Sequence, residues 1–292
     1  MVRRGSYEVS GVRGRLRERL KGVIPPESLS LVPRSYDIIG SRGKAVAIIE
    51  IPEELRPYEA EIAEAIMELH RSVKSVLAKE SGRAGDYRLR RLRLIAGDPD
   101  TEVIHKEAGC LFKLDPMKVY FSPREATERG RIASKVAEGE RILVMFSGVG
   151  PYPIRIAKLR GDVDITAVEL NPDAHNYCVE NIHLNRVEDK VHPILGDVRD
   201  VCPRLEGGFD RIVMPLPLGA YRFLDLAIPL LGEGGILHFY HWAREPSLFE
   251  EAERLVSEAA DRFDREAEII DRIKVSQYSP RVWKVRVDAR IL

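Results

Sequence analysis

The chain has 292 residues, with 46 Lys+Arg against 46 Asp+Glu, 44% hydrophobic residues and three cysteines. That hydrophobic share is enough for a full core and excludes global disorder. No apolar run reaches the eighteen or so residues of a membrane span, and no apolar stretch follows the basic N-terminus as in a signal peptide, so no membrane and a cytoplasmic location are expected. Cys110, Cys178 and Cys202 are widely spaced and form no CxxC. They read as buried free thiols, and no metal site is expected.

The balanced total conceals an uneven distribution. Residues 1–30 carry seven basic groups (Arg3, Arg4, Arg13, Arg15, Arg17, Arg19, Lys21) against three acids, and residues 83–93 hold five arginines and one acid. Such runs are either solvated faces or phosphate-binding surfaces. In chain order, residues 1–22 predict a basic amphipathic helix with Val12, Leu16 and Leu20 at four-residue spacing, stopped by Pro25-Pro26. Residues 45–51 are a short apolar strand. Residues 57–78 predict a long helix with Ile62, Ala65, Ile66, Leu69 and Val73 on one face. Residues 87–95 alternate arginine with apolar residues, the period-two mark of a half-buried strand. Segments 103–105 and 110–114 complete an antiparallel sheet. The expected organisation is a basic stub at 1–22, a small α+β domain at 23–117 whose arginine run is a candidate RNA-contacting surface, and a second domain at 118–292.

In that second domain the rhythm changes. Strands at 142–146, 165–170, 191–195, 211–214 and 235–240 alternate with helices, three of them expected up to residue 160, at 172–185 and at 220–231. Alternation at this spacing implies right-handed crossovers and a parallel sheet covered on both faces. The end differs: 267–275 and 282–291 are consecutive strands around Tyr278-Ser279-Pro280, an antiparallel hairpin at the sheet edge. The fold class expected is α/β, a Rossmann-like class I sheet as in SAM-dependent methyltransferases, with the smaller α+β domain before it.

The motifs sit where such a sheet binds ligands. Phe146-Ser147-Gly148-Val149-Gly150 follows the first strand and opens a helix, so backbone N–H groups can approach a carboxylate or phosphate. Glu169 ends the next strand, placed to take both hydroxyls of a ribose. Asn171 caps the following helix, with Pro172 at its first position. Asp197 ends the third strand, where an aspartate can accept from an adenine amino group. A dinucleotide would suit part of this set, but the terminal hairpin and the missing third glycine favour S-adenosyl-L-methionine (SAM). Pro215-Leu216-Pro217 follows the fourth strand, and only the carbonyls of this loop can contact a base, because proline has no N–H.

Several runs resemble the archaeal and eukaryotic tRNA (guanine-37-N1)-methyltransferase family: Ser35-Tyr36-Asp37-Ile38-Ile39-Gly40, Tyr87-Arg88-Leu89-Arg90-Arg91-Leu92, Tyr120-Phe121-Ser122-Pro123-Arg124 through Thr127-Glu128-Arg129, and Tyr278-Ser279-Pro280-Arg281-Val282-Trp283. The resemblance implies a tRNA substrate, a monomer, Glu128 as the base that takes the proton from guanine nitrogen 1, and Arg88 as the cation that holds the charge moving onto oxygen 6. It places Pro215 and Pro217 in the catalytic loop. It puts Arg124, Tyr120 and Arg129 along a seam between the domains, with Tyr120 and Arg129 on the cofactor side. Arg90, Arg91 and Arg124 would hold RNA. A sister family of wybutosine synthesis shares the scaffold but transfers the aminocarboxypropyl arm of SAM, and a non-catalytic RNA-binding relative is a third reading. Three departures stand out: only the basic stub precedes residue 30 where larger members carry a tRNA-elbow domain, Val144 replaces an aspartate, and Pro215 replaces an asparagine.

Overall fold

The structure, a computed structural model, describes residues 15–84 and 89–292, which form two compact units, Met1–Arg124 and Glu125–Leu292. The first unit opens with α1 (Arg15–Arg19), whose Leu16, with Leu20 just beyond, is buried; Val12 lies outside the described residues. A four-stranded sheet runs β1 (Asp37–Gly40), β2 (Ala45–Ile49), β3 (Val73–Ala84) and β4 (Leu89–Gly97), with β2 and β3 parallel and the other pairs antiparallel. The helix α2 (Glu59–Leu69) is the crossover between the parallel pair. The long helix expected over 57–78 is therefore wrong in its second half. It ends at Leu69, and 73–78 is strand, because Val76, Leu77 and Ala78 are buried in succession and pair with the fully buried β2. β5 (Val103–Glu107) and β6 (Cys110–Leu114) pair with each other in a separate two-stranded sheet rather than extending the first.

The second unit is one seven-stranded sheet. Its strands are β7 (Glu140–Met145), β8 (Val163–Glu169), β9 (Val191–Leu195), β10 (Phe209–Met214), β11 (Leu231–Arg244), β12 (Ala267–Ser279) and β13 (Val282–Ile291). Their order is β12-β13-β11-β10-β7-β8-β9, parallel from β11 to β9 and closed by the antiparallel hairpin β12–β13. The helices are α3 (Ala126–Lys135), α4 (Pro151–Leu159), α5 (Pro172–Asn185), the single turns α6 (Val198–Val201) and α7 (Leu224–Ala227), and α8 (Glu250–Asp261). The helix expected over 220–231 is broken: α7 is flanked by two 3₁₀ turns, the second holding Pro229, which cannot donate to a continuing helix. The helix α8 went unread, although its buried Ala252, Val256, Ala259 and Ala260 fall at helical spacing. All three cysteines are free and buried, and burial pushes the Cys178 thiol up to about 12.

A ladder of charge seats α3 on β13. Alternation along β13 places Val285, Val287 and Ala289 on one face and Lys284, Arg286 and Asp288 on the other, and all six are buried. Along α3 and the residue before it, Glu125, Glu128 and Lys135 meet them in order. Lys284 Nζ lies 2.8 Å from Glu125, the Arg286 guanidinium pairs with Glu128, and Lys135 Nζ lies 3.1 Å from Asp288. Ten residues of helix rise about 15 Å and four of strand about 13 Å, so the spacings match. The ladder continues across the sheet: His238 Nδ1 lies 2.6 Å from Asp288, Arg211 reaches His238 Nε2 at 2.7 Å, and Arg211 Nε donates to Glu140 at 2.6 Å. Arginine only donates, so Nε2 accepts and the His238 proton sits on Nδ1, directed at Asp288. Burial lowers the His238 pKa and keeps the ring neutral.

Buried ion pairs add little net stability, but breaking one leaves an uncompensated charge. We predict that Arg286→Met, which removes the fully buried cation between Glu128 and Asp288, costs about 3–5 kcal/mol in denaturant unfolding. Arg290→Ala, which removes an exposed pair with Glu268, should change little. Burial alone would raise the Asp288 carboxyl, but His238 and Arg286 hold it well below the usual carboxylate range. Its contribution to stability is thus complete above that range and is lost as pH falls through the depressed value. Equal losses for the two variants would refute the ladder.

Candidate functional site

The loops after β7, β8, β9 and β10 gather at the carboxyl edge of the sheet. After β7 the chain turns sharply, with positive φ at Phe146 (60°), Gly148 (57°) and Gly150 (86°). Gly150 is required twice over, because a Cβ there would also stand 2.9 Å from both Cys178 Sγ and Ile154 Cδ1. At Gly148 nothing lies within 4 Å of the Cβ position, so the loop borders open space. Prolines at 151 and 153 remove two N–H groups from the first turn of α4, which leaves Tyr152 as the donor there. Ser147 is buried, and its N–H is held by Val168 O at 2.9 Å.

Glu169 ties this loop to the next. One carboxylate oxygen accepts the Gly148 N–H at 2.7 Å and the other the Asn171 N–H at 2.8 Å. The Leu170 N–H also donates to this carboxylate, which keeps lone-pair capacity to accept from a ribose hydroxyl. Burial raises its pKa against the opposing pull of those N–H groups. Asn171 caps α5 by accepting from Asp173 N at 3.0 Å. Asp197 caps α6 by accepting from Arg199 N at 2.8 Å, and the Arg199 guanidinium sits on both its oxygens and lowers its pKa. An adenine amino group would share that carboxylate with an exposed arginine. In the loop after β10, Pro215 and Pro217 offer no N–H and Leu216 N is taken by Met214 O at 2.8 Å, so carbonyls are its remaining polar groups.

Glu128 lies behind the same edge, 2% exposed. Its Oε1 accepts from the Tyr240 hydroxyl at 2.7 Å and from Arg286, both buried. Its Oε2 meets Arg131 at 3.2 Å, whose side chain is 46% exposed. The carboxylate thus has one locked oxygen and one covered by a surface arginine. Tyr152, on the helix that follows the glycine turn, donates to Tyr240 at 3.3 Å and so connects α4 to Glu128. Arg129, the neighbour of Glu128, is buried as well. Sequence reasoning missed Tyr240, Arg286 and Arg131. The alternating Lys284, Arg286 and Asp288 in a strand was the available signal.

In the first unit, Arg90 lies at 4.0 Å from Glu50, and Arg124 Nε pairs with Asp37 at 2.5 Å. Arg91 is exposed on β4, and Tyr120 is exposed. Arg93, in the same arginine run, is spent on Glu59 and Glu80. Arg88 lies outside the described residues.

The family described as the TRM5/TYW2 methyltransferase domain matches residues 103–270, and a TYW2 N-terminal domain matches residues 16–101. The chain is 42% identical over 268 residues to the tRNA (guanine(37)-N(1))-methyltransferase Trm5b of Pyrococcus abyssi, covering 92% of this chain and 78% of that one. It is 32% identical over 281 residues to a tRNA(Phe) (4-demethylwyosine(37)-C(7)) aminocarboxypropyltransferase of Pyrococcus horikoshii, covering 96% and 98%. Among solved structures, a complex of aTrm5 with tRNALeu matches at TM-score 0.82 and 33% identity, over 95% of this chain and 78% of that one. TYW2 of Methanocaldococcus jannaschii, in complex with AdoMet, matches at TM-score 0.68 and 30% identity, over 88% and 99%.

Proposed function

The chain belongs to the TRM5/TYW2 methyltransferase family, and from that premise we propose that it methylates tRNA at nitrogen 1 of guanosine 37, 3′ of the anticodon, with SAM as donor. The observation that carries this reading is the 42% identity with a relative of that activity over 92% of the chain. The site supports it. When bound, SAM supplies an electrophilic methyl group on sulfur. Glu169 would hold the ribose, Asp197 the adenine, the turn Phe146-Ser147-Gly148 with Gly150 would approach the rest of the nucleoside, and Asn171 fixes the start of α5. Arg129 and Tyr120 are assigned to the amino-acid end.

Guanine nitrogen 1 carries a proton at neutral pH, so a base must remove it as the methyl bond forms. We assign that step to Glu128. Its locked oxygen fixes the carboxylate, and Oε2 becomes available to a substrate proton when Arg131 swings into solvent. Arg88 would hold the charge developing on oxygen 6, a task suited to a permanent cation with a fixed fork of donors. The carbonyls of Pro215 and Pro217 would contact the exocyclic amino group. Arg90, Arg91 and Arg124 would exchange their present partners for tRNA phosphates. With tRNA as its partner, the protein is assigned as a cytoplasmic monomer.

One observation favours a second reading, aminocarboxypropyl transfer: the first unit matches a TYW2 N-terminal domain, and the aminocarboxypropyltransferase relative is covered over 98% of its length. Methylation of a wyosine intermediate at carbon 7 is a variant of the first reading. Mass spectrometry of nucleosides from unmodified tRNA and from tRNA carrying the wyosine intermediate, each incubated with enzyme and SAM, separates these. A single methyl on guanosine 37 is expected, and an aminocarboxypropyl adduct or an unchanged guanosine would overturn the assignment. In calorimetry, Glu169→Ala should weaken SAM at least tenfold, about 1.4 kcal/mol. Unchanged affinity in a folded variant would remove Glu169 from the cofactor site.

A further inference from the structure

The run Tyr278-Ser279-Pro280-Arg281-Val282-Trp283 has no part in the assignments above. It forms the tip of the β12–β13 hairpin, and pairing of Arg244 with Val282 puts that tip at the carboxyl end of β11, the edge where the cofactor loops lie. Tyr278 is 65% exposed, more than any other large apolar side chain among the described residues. Its ring is not alone: Trp242 of β11 lies against it, with centroids 4.8 Å apart. The second tryptophan is spent structurally, since Trp283 donates to Glu245 at 2.9 Å and lies under Lys274.

Alternation along β11 puts Trp242 on the same face as Tyr240, the residue that holds Glu128, and about 7 Å further toward the edge. Arg244 and Arg281, both exposed, flank the aromatic pair, and neither has an ion-pair partner among the described residues. Two adjoining rings, one of them solvated, between two uncommitted guanidinium groups suit a nucleobase and its phosphates. Bases stack on aromatic faces whatever their sequence, and arginine supplies the phosphate contact. The patch is too small and too charged to be the core of a protein interface, which is large and depleted of charge.

We propose that Trp242 and Tyr278 form a stacking platform for an anticodon-loop base beside the target nucleotide, with Arg244 and Arg281 on the adjoining phosphates. The proposal rests on the reading of tRNA as substrate. It can be read optically, because the chain has only two tryptophans. In a Trp283→Phe background, Trp242 is the sole indole, and an anticodon stem–loop RNA should quench its emission. Tyr278→Ala should weaken stem–loop binding about tenfold, while Tyr278→Phe retains it. Both should bind SAM as the parent does, which reports an intact fold. Stem–loop binding without quenching, at equal affinity in Tyr278→Ala, would refute the platform and leave the enzymatic reading standing. Failure of the parent protein to bind stem–loop or full tRNA would overturn that reading and the platform with it. Emission that follows protein concentration but not RNA would make the patch a self-association surface, also against the proposal.

Discussion

A buried carboxylate must be compensated, and the second unit answers that constraint with a ladder of charges. Helix α3 lies on β13 through three ion pairs in matching order, Glu125 with Lys284, Glu128 with Arg286 and Lys135 with Asp288. A purely apolar contact at this place would let the helix slide by a turn at small cost. A slide here would instead pull buried charges away from their opposite partners in a low-dielectric setting, where each uncompensated charge is expensive. The ladder therefore sets the position of Glu128 rather than adding stability. Its extension through His238, Arg211 and Glu140 ties the same register to three neighbouring strands.

The consequence for chemistry is an asymmetric carboxylate. Arg286 and Tyr240 hold one oxygen from within the core, while the other meets the exposed Arg131. The proposed role as proton acceptor would benefit from this arrangement, because the orientation is fixed before substrate arrives and only a surface side chain must move. Tyr152 links this centre to the helix that opens after the glycine turn. The glycine turn and the carboxylate are thereby referenced to one scaffold.

Much of this was legible in the chain. The apolar strands at 142–146 and 165–170, the glycine turn, Glu169 and the closing hairpin declare themselves because their periodicity and turn chemistry are local. The helix expected over 57–78 failed because Val73 and Val76 fit a helical face as well as a strand, and only pairing with β2 decides between them. The role of Arg286 was hidden for a related reason. Its partner is 158 residues away, so the sequence displays a charged alternation but not the helix that completes it. Glu169 illustrates the intermediate case: its place at a strand end was readable, whereas its two backbone bonds to neighbouring loops were not.

The central claim is that this scaffold presents Glu128 as a proton acceptor. Glu128→Gln keeps the shape and an oxygen for Arg286 but removes the basicity. Single-turnover methylation of unmodified tRNA, measured at saturating SAM and tRNA, tests the claim most directly. A rate lowered about a hundredfold or more, with both affinities little changed, is the predicted result, since the loss falls in the transition state. A Glu128→Gln protein that methylates at the wild-type rate would contradict it, and the carboxylate would then serve only to seat α3.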